Sequence, residues 1–302
     1  FRTTLNGNNF MKKYIYLLIA TLLFASCEDV IKVDLEQKQV KIVVDAFVNN
    51  LDVTQSIYVK KTANYFAPIG EQDAVENATI YIIDTSNLKL FNFTHNSKGE
   101  YTWTPNRATG DTFKIGTQYV LAIINNKDTF LSASTLNPTA PILDIKIIQE
   151  KDQGGRFKDG KYAELIADEL DEFGNTYWIK SFQRDTFLSE LDELNIAWDE
   201  GFSPNDQTNG RNFIFPIRYG AINNFTKPLD SLDKVRIEIH SITNETFAYF
   251  QILQIENQNG GLFATPPSAI PSNIIPINTQ ISMPVTGWFN MAAVSQKEVI
   301  VD

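Results

Sequence analysis

The feature that most restricts how this chain can fold is a series of short runs rich in β-branched and aromatic residues. Seven runs follow one another within roughly 100 residues, and polar or turn-forming residues separate them. They cover residues 40–48, 56–60, 78–84, 88–94, 101–104, 119–125 and 129–134. Short strands at this spacing are typical of an immunoglobulin-like β-sandwich. We therefore predict such a sandwich over residues 40–137, without the cysteine pair and core tryptophan of antibody domains.

A proline-containing segment at 136–141 separates this unit from a second series of strands. The strands predicted there cover residues 142–149, 162–168, 176–182, 213–218, 234–242, 287–294 and 297–301. The polar, glycine-containing stretch 190–212 is predicted to be an exposed excursion. These patterns indicate a second β-rich domain over residues 138–302, so we expect a mainly β protein.

One stretch near residues 244–258 has the periodicity of a helix instead. Phe247, Phe250 and Leu253 recur at helical spacing, and Thr243 or Asn244 can cap the first turn. The glycine pair at 260–261 is expected to end the helix. We expect the aromatic stripe to pack in a core; a ligand groove is the alternative.

The segment 11–29 has the features of a secretory signal. Lys12 and Lys13 precede an apolar run at 14–24, which is too short to span a bilayer. Cys27, the only cysteine of the chain, follows two small residues. This arrangement resembles the bacterial lipobox, which implies removal of residues 1–26 and acylation of Cys27 by chains such as palmitate. The alternative is an ordinary signal peptide with a chance cysteine. Residues 27–39 would then tether the body to the lipid.

Two acidic residues directly follow this cysteine. Glu28 and Asp29 resemble the export signal that directs lipoproteins of Bacteroidota to the outer face of the outer membrane. We therefore expect a lipid-anchored protein of the outer membrane that faces the cell surface. The alternative that remains open is a lipoprotein that faces the periplasm.

The charge of the chain restricts its partners. The chain has 26 basic and 36 acidic side chains, and removal of residues 1–26 takes three basic residues with it. The mature protein would have 23 basic and 36 acidic side chains, a net charge of −13. Such a surface repels phosphates, so we expect neither nucleic acid nor anionic lipid as a partner.

Candidate catalytic and metal-binding residues are few. His95 and His240 are the only histidines, and acylation of Cys27 would leave no free thiol, so we expect no enzyme activity. The acidic run is the weak candidate for Ca²⁺ or for a glycosidase carboxylate pair: Asp168, Glu169, Asp171 and Glu172. A solvated turn is the interpretation that we favour for it. We expect no cofactor besides the covalent lipid.

Three tryptophans of the second half are candidates for ligand or partner contact: Trp178, Trp198 and Trp288. Trp198 lies within the polar excursion, where no core is evident for its ring. An exposed tryptophan can serve as a stacking platform for a sugar or as an anchor for a protein partner. The alternative for each of them is packing in the core.

The order of these features resembles a known family. A lipobox, a VVDAFV strand, an ATIYI strand, an ETFAYFQ helix and a terminal GWFNMAAVS strand follow one another. This order is similar to that of the DUF4249 lipoproteins of Bacteroidota. Gly261 and Leu262 stand where members of the family have an Asn-Pro pair, so no ligand role is carried over from that block. The resemblance implies an outer-membrane lipoprotein, often encoded near TonB-dependent transporters, and it implies no catalytic residue.

Together these observations predict a non-enzymatic accessory subunit of an outer-membrane β-barrel protein, with a TonB-dependent transporter as the partner that we expect first. A structural subunit of an outer-membrane assembly or secretion complex is one alternative. A surface glycan-binding module that uses Trp198 is the other.

Overall fold

A computed structural model describes residues 39–63, 72–151, 158–172, 174–188, 194–198, 215–259, 266 and 269–302. The strands are β1 (Ile42–Asn49), β2 (Gln55–Lys61), β3 (Thr79–Asp84), β4 (Leu90–Ser97), β5 (Glu100–Trp103), β6 (Gln118–Asn125), β7 (Asp128–Thr135), β8 (Ile142–Glu150), β9 (Gly160–Ala167), β10 (Thr176–Gln183), β11 (Thr186–Phe187), β12 (Ile196–Trp198), β13 (Lys234–Ile242), β14 (Ile275–Pro276), β15 (Val285–Ala292) and β16 (Val294–Ile300). The α-helices are α1 (Phe215–Arg218) and α2 (Asn244–Gln258), and 3₁₀ turns occur at Arg107–Thr109 and Gly220–Ile222. The expected mainly β fold class is confirmed.

Strands β1 to β7 correspond to the seven runs found in the sequence. Their side chains alternate between core and outside, as the two-residue period of a strand requires. In β1, for example, Ile42, Val44 and Ala46 are buried, whereas Asp45 keeps an exposed surface. The predicted presence of these strands is therefore confirmed.

The first sheet is one continuous, nearly closed sheet of nine strands in the order β14-β7-β6-β3-β4-β5-β2-β1-β15. A sandwich would have two separate sheets, but the first half of β4 pairs with β3 and its second half pairs with β5. At the closing side, the side chain of Asn273 bonds both backbone groups of Phe289. The backbone N–H of Met291 donates to Ser134 Oγ at 2.9 Å.

Strand β15, from the C-terminal part of the chain, lies parallel to β1. Residues on both sides of the expected boundary near 138 therefore contribute to the same sheet, and the division into two domains stays a prediction. Gly287 pairs with Val44 at a φ of +129°, a conformation that favours glycine. A Cβ atom at this position would lie 1.9 Å from the carbonyl oxygen of Val44, so this pairing requires glycine.

A second sheet has the order β11-β10-β13-β16, with β12 paired to β10. The β8–β9 hairpin covers its inner face, and a second core fills the space between them. Leu165 of β9 packs there with Ile179 of β10 and Ile237 of β13. The other face of this sheet is directed toward β1 and helix α2, because Trp178 of β10 contacts both Phe47 and Phe250.

Two local predictions are corrected. The strand predicted at 213–218 is wrong over its described part, which is the short helix α1 (Phe215–Arg218). Pro216 has no N–H for a strand ladder but is tolerated in the first turn of a helix. The stretch 190–212, predicted as an excursion, contains strand β12 (Ile196–Trp198), which pairs with β10, and its other described residues are only 194 and 195.

Helix α2 confirms the prediction made from the spacing of its aromatic residues. The hydroxyl of Thr243 accepts a hydrogen bond from the backbone N–H of Thr246, so Thr243 is the N-cap. Phe247 and Phe250 are buried, which confirms the packing role of the stripe. The glycine pair expected to end the helix lies outside the described residues.

Candidate functional site

Helix α2 brings the three candidate tryptophans together, because each of them contacts a different aromatic ring of this helix. Trp198 lies 5.7 Å from Phe247, Trp288 lies 4.2 Å from Tyr249, and Trp178 lies 5.0 Å from Phe250, measured between ring centroids. The helix therefore connects β12, β15 and β10, which belong to two different sheets. The aromatic cluster around α2 is the centre of the candidate site.

Trp288 belongs to the core of this cluster. Its side chain is 5% exposed, and its ring stacks on Tyr249 with an interplanar angle of 10°. Its indole Nε1 donates a hydrogen bond to Thr246 Oγ1 at 2.8 Å. A buried ring with a satisfied N–H favours the packing alternative for this residue.

Trp198 and Trp178 lie nearer to solvent. Trp198 is the last residue of β12 and is 44% exposed, with its ring tilted by 50° against Phe247. Trp178 is half-buried, with the edge of its ring system near Phe47. Of the three, Trp198 therefore has the geometry closest to a contact surface for a ligand or partner.

A row of charged side chains continues the cluster along the second sheet. The register of β10 with β13 places Trp178 opposite His240, Lys180 opposite Glu238 and Phe182 opposite Arg236. Cations lie over aromatic rings in this row. Lys180 Nζ is 3.7 Å from the centroid of the Trp178 ring, and the Arg236 guanidinium carbon is 3.9 Å from that of Phe182.

Glu238 and His240 form a buried pair within this row, with His240 Nε2 2.8 Å from Glu238 Oε2. Desolvation by burial and the positive charge of Lys180 lower the pKa of His240 to about 4, although the hydrogen bond that His240 makes to the Glu238 carboxylate opposes this shift. Desolvation would raise the pKa of Glu238, but His240, Arg236 and Lys180 together lower it. Glu238 is therefore a carboxylate at neutral pH, and the neutral ring of His240 donates its Nε2–H to it.

Lys180 and Asp45 extend the charged row toward the first sheet. Desolvation lowers the pKa of Lys180 to about 8, although Glu238 and Asp45 oppose this shift. Asp45 keeps an exposed surface, yet desolvation of its carboxyl raises its pKa against the attraction of Lys180 and Lys60. The charges of Asp45 on β1, Lys180 on β10 and Glu238 on β13 thus shift one another's pKa values across the two sheets.

Within this network, Glu238 and His240 hold fixed protonation states at neutral pH. One oxygen of Glu238 bonds His240 and the other bonds Arg236, so the carboxylate is already occupied by donors. His240 is neutral over the physiological pH range and cannot supply a proton there. The row therefore presents preorganised charge beside the aromatic cluster.

Sequence patterns did not predict a role for four residues of this row: Asp45, Lys180, Arg236 and Glu238. Strand β13 has the sequence KVRIEIHSI, in which charged or polar residues alternate with apolar ones. This alternation predicts a solvated outer face, whereas Glu238 and His240 are buried there. The sequence did contain one signal of this row. Arg236, Glu238 and His240 follow one another at two-residue spacing, so their side chains lie on one face of the strand and can bond one another.

The remaining predicted site residues have different outcomes. The expected lipid attachment at Cys27 and the expected export signal at Glu28 and Asp29 lie outside the described residues. His95, in β4, has its ring 5.2 Å from that of Tyr101. In the acidic run, Asp168 and Glu169 are partly buried, whereas Asp171 and Glu172 are exposed. Within the described ranges, no three His, Cys, Asp or Glu side chains are grouped so that they could hold a metal ion.

These features define a mainly β protein in which one capped helix joins a nearly closed nine-stranded sheet to a smaller second sheet. In the part of the chain that the structure describes, none of the helices is both long enough and apolar enough to cross a bilayer. The family model for the domain of unknown function DUF4249 matches residues 28–298, so the chain belongs to this family. A search among curated proteins finds no match.

Proposed function

We propose that this protein is an acylated outer-membrane lipoprotein that acts as a non-enzymatic partner subunit of an integral β-barrel protein. The partner that we propose is a TonB-dependent transporter. The observation that carries the proposal is the position of Cys27, the only cysteine, after two small residues that follow a short apolar run. The family match supports it, because that match begins at residue 28, directly after this cysteine.

Acylation supplies the mechanism of the proposed role. Each buried CH₂ group of an acyl chain contributes roughly 0.8 kcal/mol, so two or three chains hold a protein at the membrane stably. Confinement to the membrane plane raises the effective concentration of the body beside a barrel partner. Glu28 and Asp29 are the residues that we propose to direct the protein to the cell surface.

The contact with the partner is assigned to the surface around helix α2. Trp198 exposes nearly half of its side chain there, and its ring packs against that of Phe247. A tryptophan held on a packed base can bury a large area at little cost in conformational entropy. Lys180 and Arg236, in the neighbouring row, offer fixed positive charges for orientation.

Co-purification tests the partner. The tagged protein is crosslinked in intact cells, extracted in detergent and compared with Trp198→Ala and with Tyr58→Ala, which removes an exposed ring of the first sheet. Capture of a transporter barrel that Trp198→Ala weakens and Tyr58→Ala leaves unchanged is the expected result. Capture of assembly or secretion machinery instead would favour a structural subunit and contradict the transporter partner.

A glycan-binding module is the second candidate, and the exposure of Trp198 is the observation that favours it. Sugars stack on exposed tryptophan rings, so the same surface suits either ligand class. Retention of cell-surface polysaccharide without any barrel protein, abolished by Trp198→Ala, would select this candidate over the partner subunit.

A further inference from the structure

The two ends of the nine-stranded sheet differ in the pairing of their charges. We define the basic end as the end at which β1 begins. Ile42 pairs there with Lys61 and with Val285, and the β6–β7 turn closes at Asn125 and Asp128. The β4–β5 turn lies at the same end, because Val59 of β2 bonds the carbonyl of Gly99.

Five lysines from four separate segments lie at the basic end: Lys41, Lys60, Lys61, Lys98 and Lys127. Within the described residues none of the five forms an ion pair, although Lys60 lies 5.7 Å from the ring of Tyr58. At the opposite end Lys89 and Arg107 are paired, whereas the exposed Lys114 forms no ion pair among the described residues. Lys89 bonds Asp111, and Arg107 lies 3.0 Å from Asp52. Lysines that form no ion pair are therefore concentrated at one end of an acidic protein.

Acidic residues at the basic end offset part of this charge. Asp128 is buried and accepts the backbone N–H of Ser282, and Glu100 accepts hydrogen bonds from neighbouring side chains of the sheet. Asp73 and Glu76 are exposed near the end of β2. With Asp45, whose carboxyl attracts Lys60, these acids number five, as many as the lysines, whereas the whole chain has 26 basic and 36 acidic side chains.

Exposed apolar side chains accompany the lysines. Ile275 is 60% exposed, Ile277 is 58% exposed and Val40 is 41% exposed. The backbone N–H of Ile277 bonds the carbonyl of Thr129, which places this side chain beside the turn that contains Lys127. Apolar side chains with lysines around them are typical of surfaces that enter the headgroup layer of a bilayer.

The described part of the chain begins next to this end, because residue 39 lies three residues before Ile42. Only fifteen residue steps separate Cys27 from Ile42, which limits the reach to about 50 Å even when fully extended. If Cys27 is acylated, the basic end is the part of the sheet to which the anchor is attached. The net negative charge of the rest of the body opposes any orientation that brings it closer to anionic headgroups.

We propose that the basic end rests on an anionic lipid surface, with Ile275 and Ile277 in the apolar boundary and the lysines on the headgroup phosphates. This inference rests on the proposed acylation of Cys27. It refines the expectation drawn from total charge, because an acidic protein can still present one basic end to a membrane.

A fluorescent probe tests the orientation, since an acylated Cys27 leaves any introduced cysteine as the only free thiol. The mature acylated protein with Thr279→Cys, in the exposed segment after Ile277, is labelled and reconstituted in vesicles of phosphatidylcholine with or without phosphatidylglycerol. Brominated lipids are the quencher. The matched control is Leu88→Cys at the opposite end, where this side chain is 75% exposed.

We expect quenching of the probe at 279, stronger with phosphatidylglycerol, and none at 88. Each lysine near an anionic surface changes the affinity on the order of fivefold. Replacement of Lys60, Lys61, Lys98 and Lys127 by Gln should therefore remove the effect of phosphatidylglycerol, and the same change at Lys114, Lys146, Lys151 and Lys227 should not.

Two failures are distinguishable in this experiment. A protein that does not float with the vesicles contradicts the anchor and the proposed function, and this inference with them. A protein that floats but is quenched equally at both positions, or at neither, contradicts the basic end alone. The second result would indicate that this end contacts protein or solvent instead of lipid.

Discussion

The indole N–H of Trp288 donates a hydrogen bond to the hydroxyl of Thr246 at 2.8 Å, and this bond joins strand β15 of the first sheet to helix α2. The same hydroxyl donates to Asn290 Oδ1 at 2.9 Å, so one buried oxygen serves two residues of the strand. The helix is therefore held by polar bonds to Trp288 and Asn290 beside the aromatic contacts, and Asn290 Oδ1 also accepts the backbone N–H of Thr243 at 3.2 Å.

Replacement of the Thr246 hydroxyl should lower the stability of the folded protein. Thr246→Val keeps the branched shape but leaves the N–H of Trp288 without its partner in a buried site. An unsatisfied buried polar group costs about 1–3 kcal/mol, and we expect the free energy of unfolding in urea to fall by that amount. Thr94→Val, at an exposed strand position, is the control and should change it by less than about 0.5 kcal/mol. Equal effects of the two variants would contradict the role of this bond.

The parallel pairing of β1 with β15 should fail when Gly287 gains a side chain. In Gly287→Ala the new Cβ would lie 1.9 Å from the Val44 carbonyl oxygen, at a φ of +129°. We expect a loss of at least about 3 kcal/mol in the free energy of unfolding, because two paired backbones must separate.

Gly110→Ala is the matched control for that variant. Gly110 also has a positive φ, of +72°, but the position that a Cβ atom would take there has open space within 4 Å. It should lose only about 1 kcal/mol, the ordinary cost of a left-handed conformation for a residue with a Cβ. Thermal or chemical unfolding of both variants measures the difference, and a Gly287→Ala protein as stable as Gly110→Ala would disprove the required close approach.

The buried pair Glu238–His240 should make stability depend on pH. The folded-state pKa of His240 is about 4, below the 6.5 of the unfolded chain, so the unfolded state binds more protons between these values. The stabilisation is complete above pH 6.5 and is lost as the pH falls from 6.5 toward 4. Protonation of His240 alone should lower the free energy of unfolding by up to about 3 kcal/mol.

His240→Gln separates this effect from the titration of Glu238 and the other carboxylates. The amide can still donate to Glu238 but does not titrate, so its stability should fall less steeply between pH 6.5 and 4. Urea unfolding at several pH values gives the difference between the two curves. Parallel curves for the variant and the unaltered protein would show that His240 is not held neutral by burial.

Local patterns predicted most of the individual elements. Runs of β-branched and aromatic residues predicted the strands of the first sheet, and the helical spacing of aromatic residues predicted α2. They failed at 213–218, where Pro216 interrupts a short apolar run and a helical turn forms instead. A run of that length has no period long enough to separate a strand from a helix.

The arrangement of the elements was less predictable. The pairing of Ile42 with Val285 joins residues far apart in the chain, and no local pattern specifies such a partner. Burial of Glu238 and His240 has the same cause. Trp178 lies against His240 and contacts both Phe47 of β1 and Phe250 of α2, on a strand face that alternates like a solvated one. The candidate site was thus predictable in its tryptophans but not in its charged row.

Acylation of Cys27 is tested by the intact mass and the membrane flotation of the unaltered protein and of Cys27→Ser. We expect the unaltered protein to begin at Cys27, to have the added mass of acyl chains and to float with outer membranes. We expect Cys27→Ser to have neither the processed start nor the lipid and to leave that fraction. A Cys27→Ser protein that is still processed at this site and still floats with the outer membrane would contradict the acyl anchor.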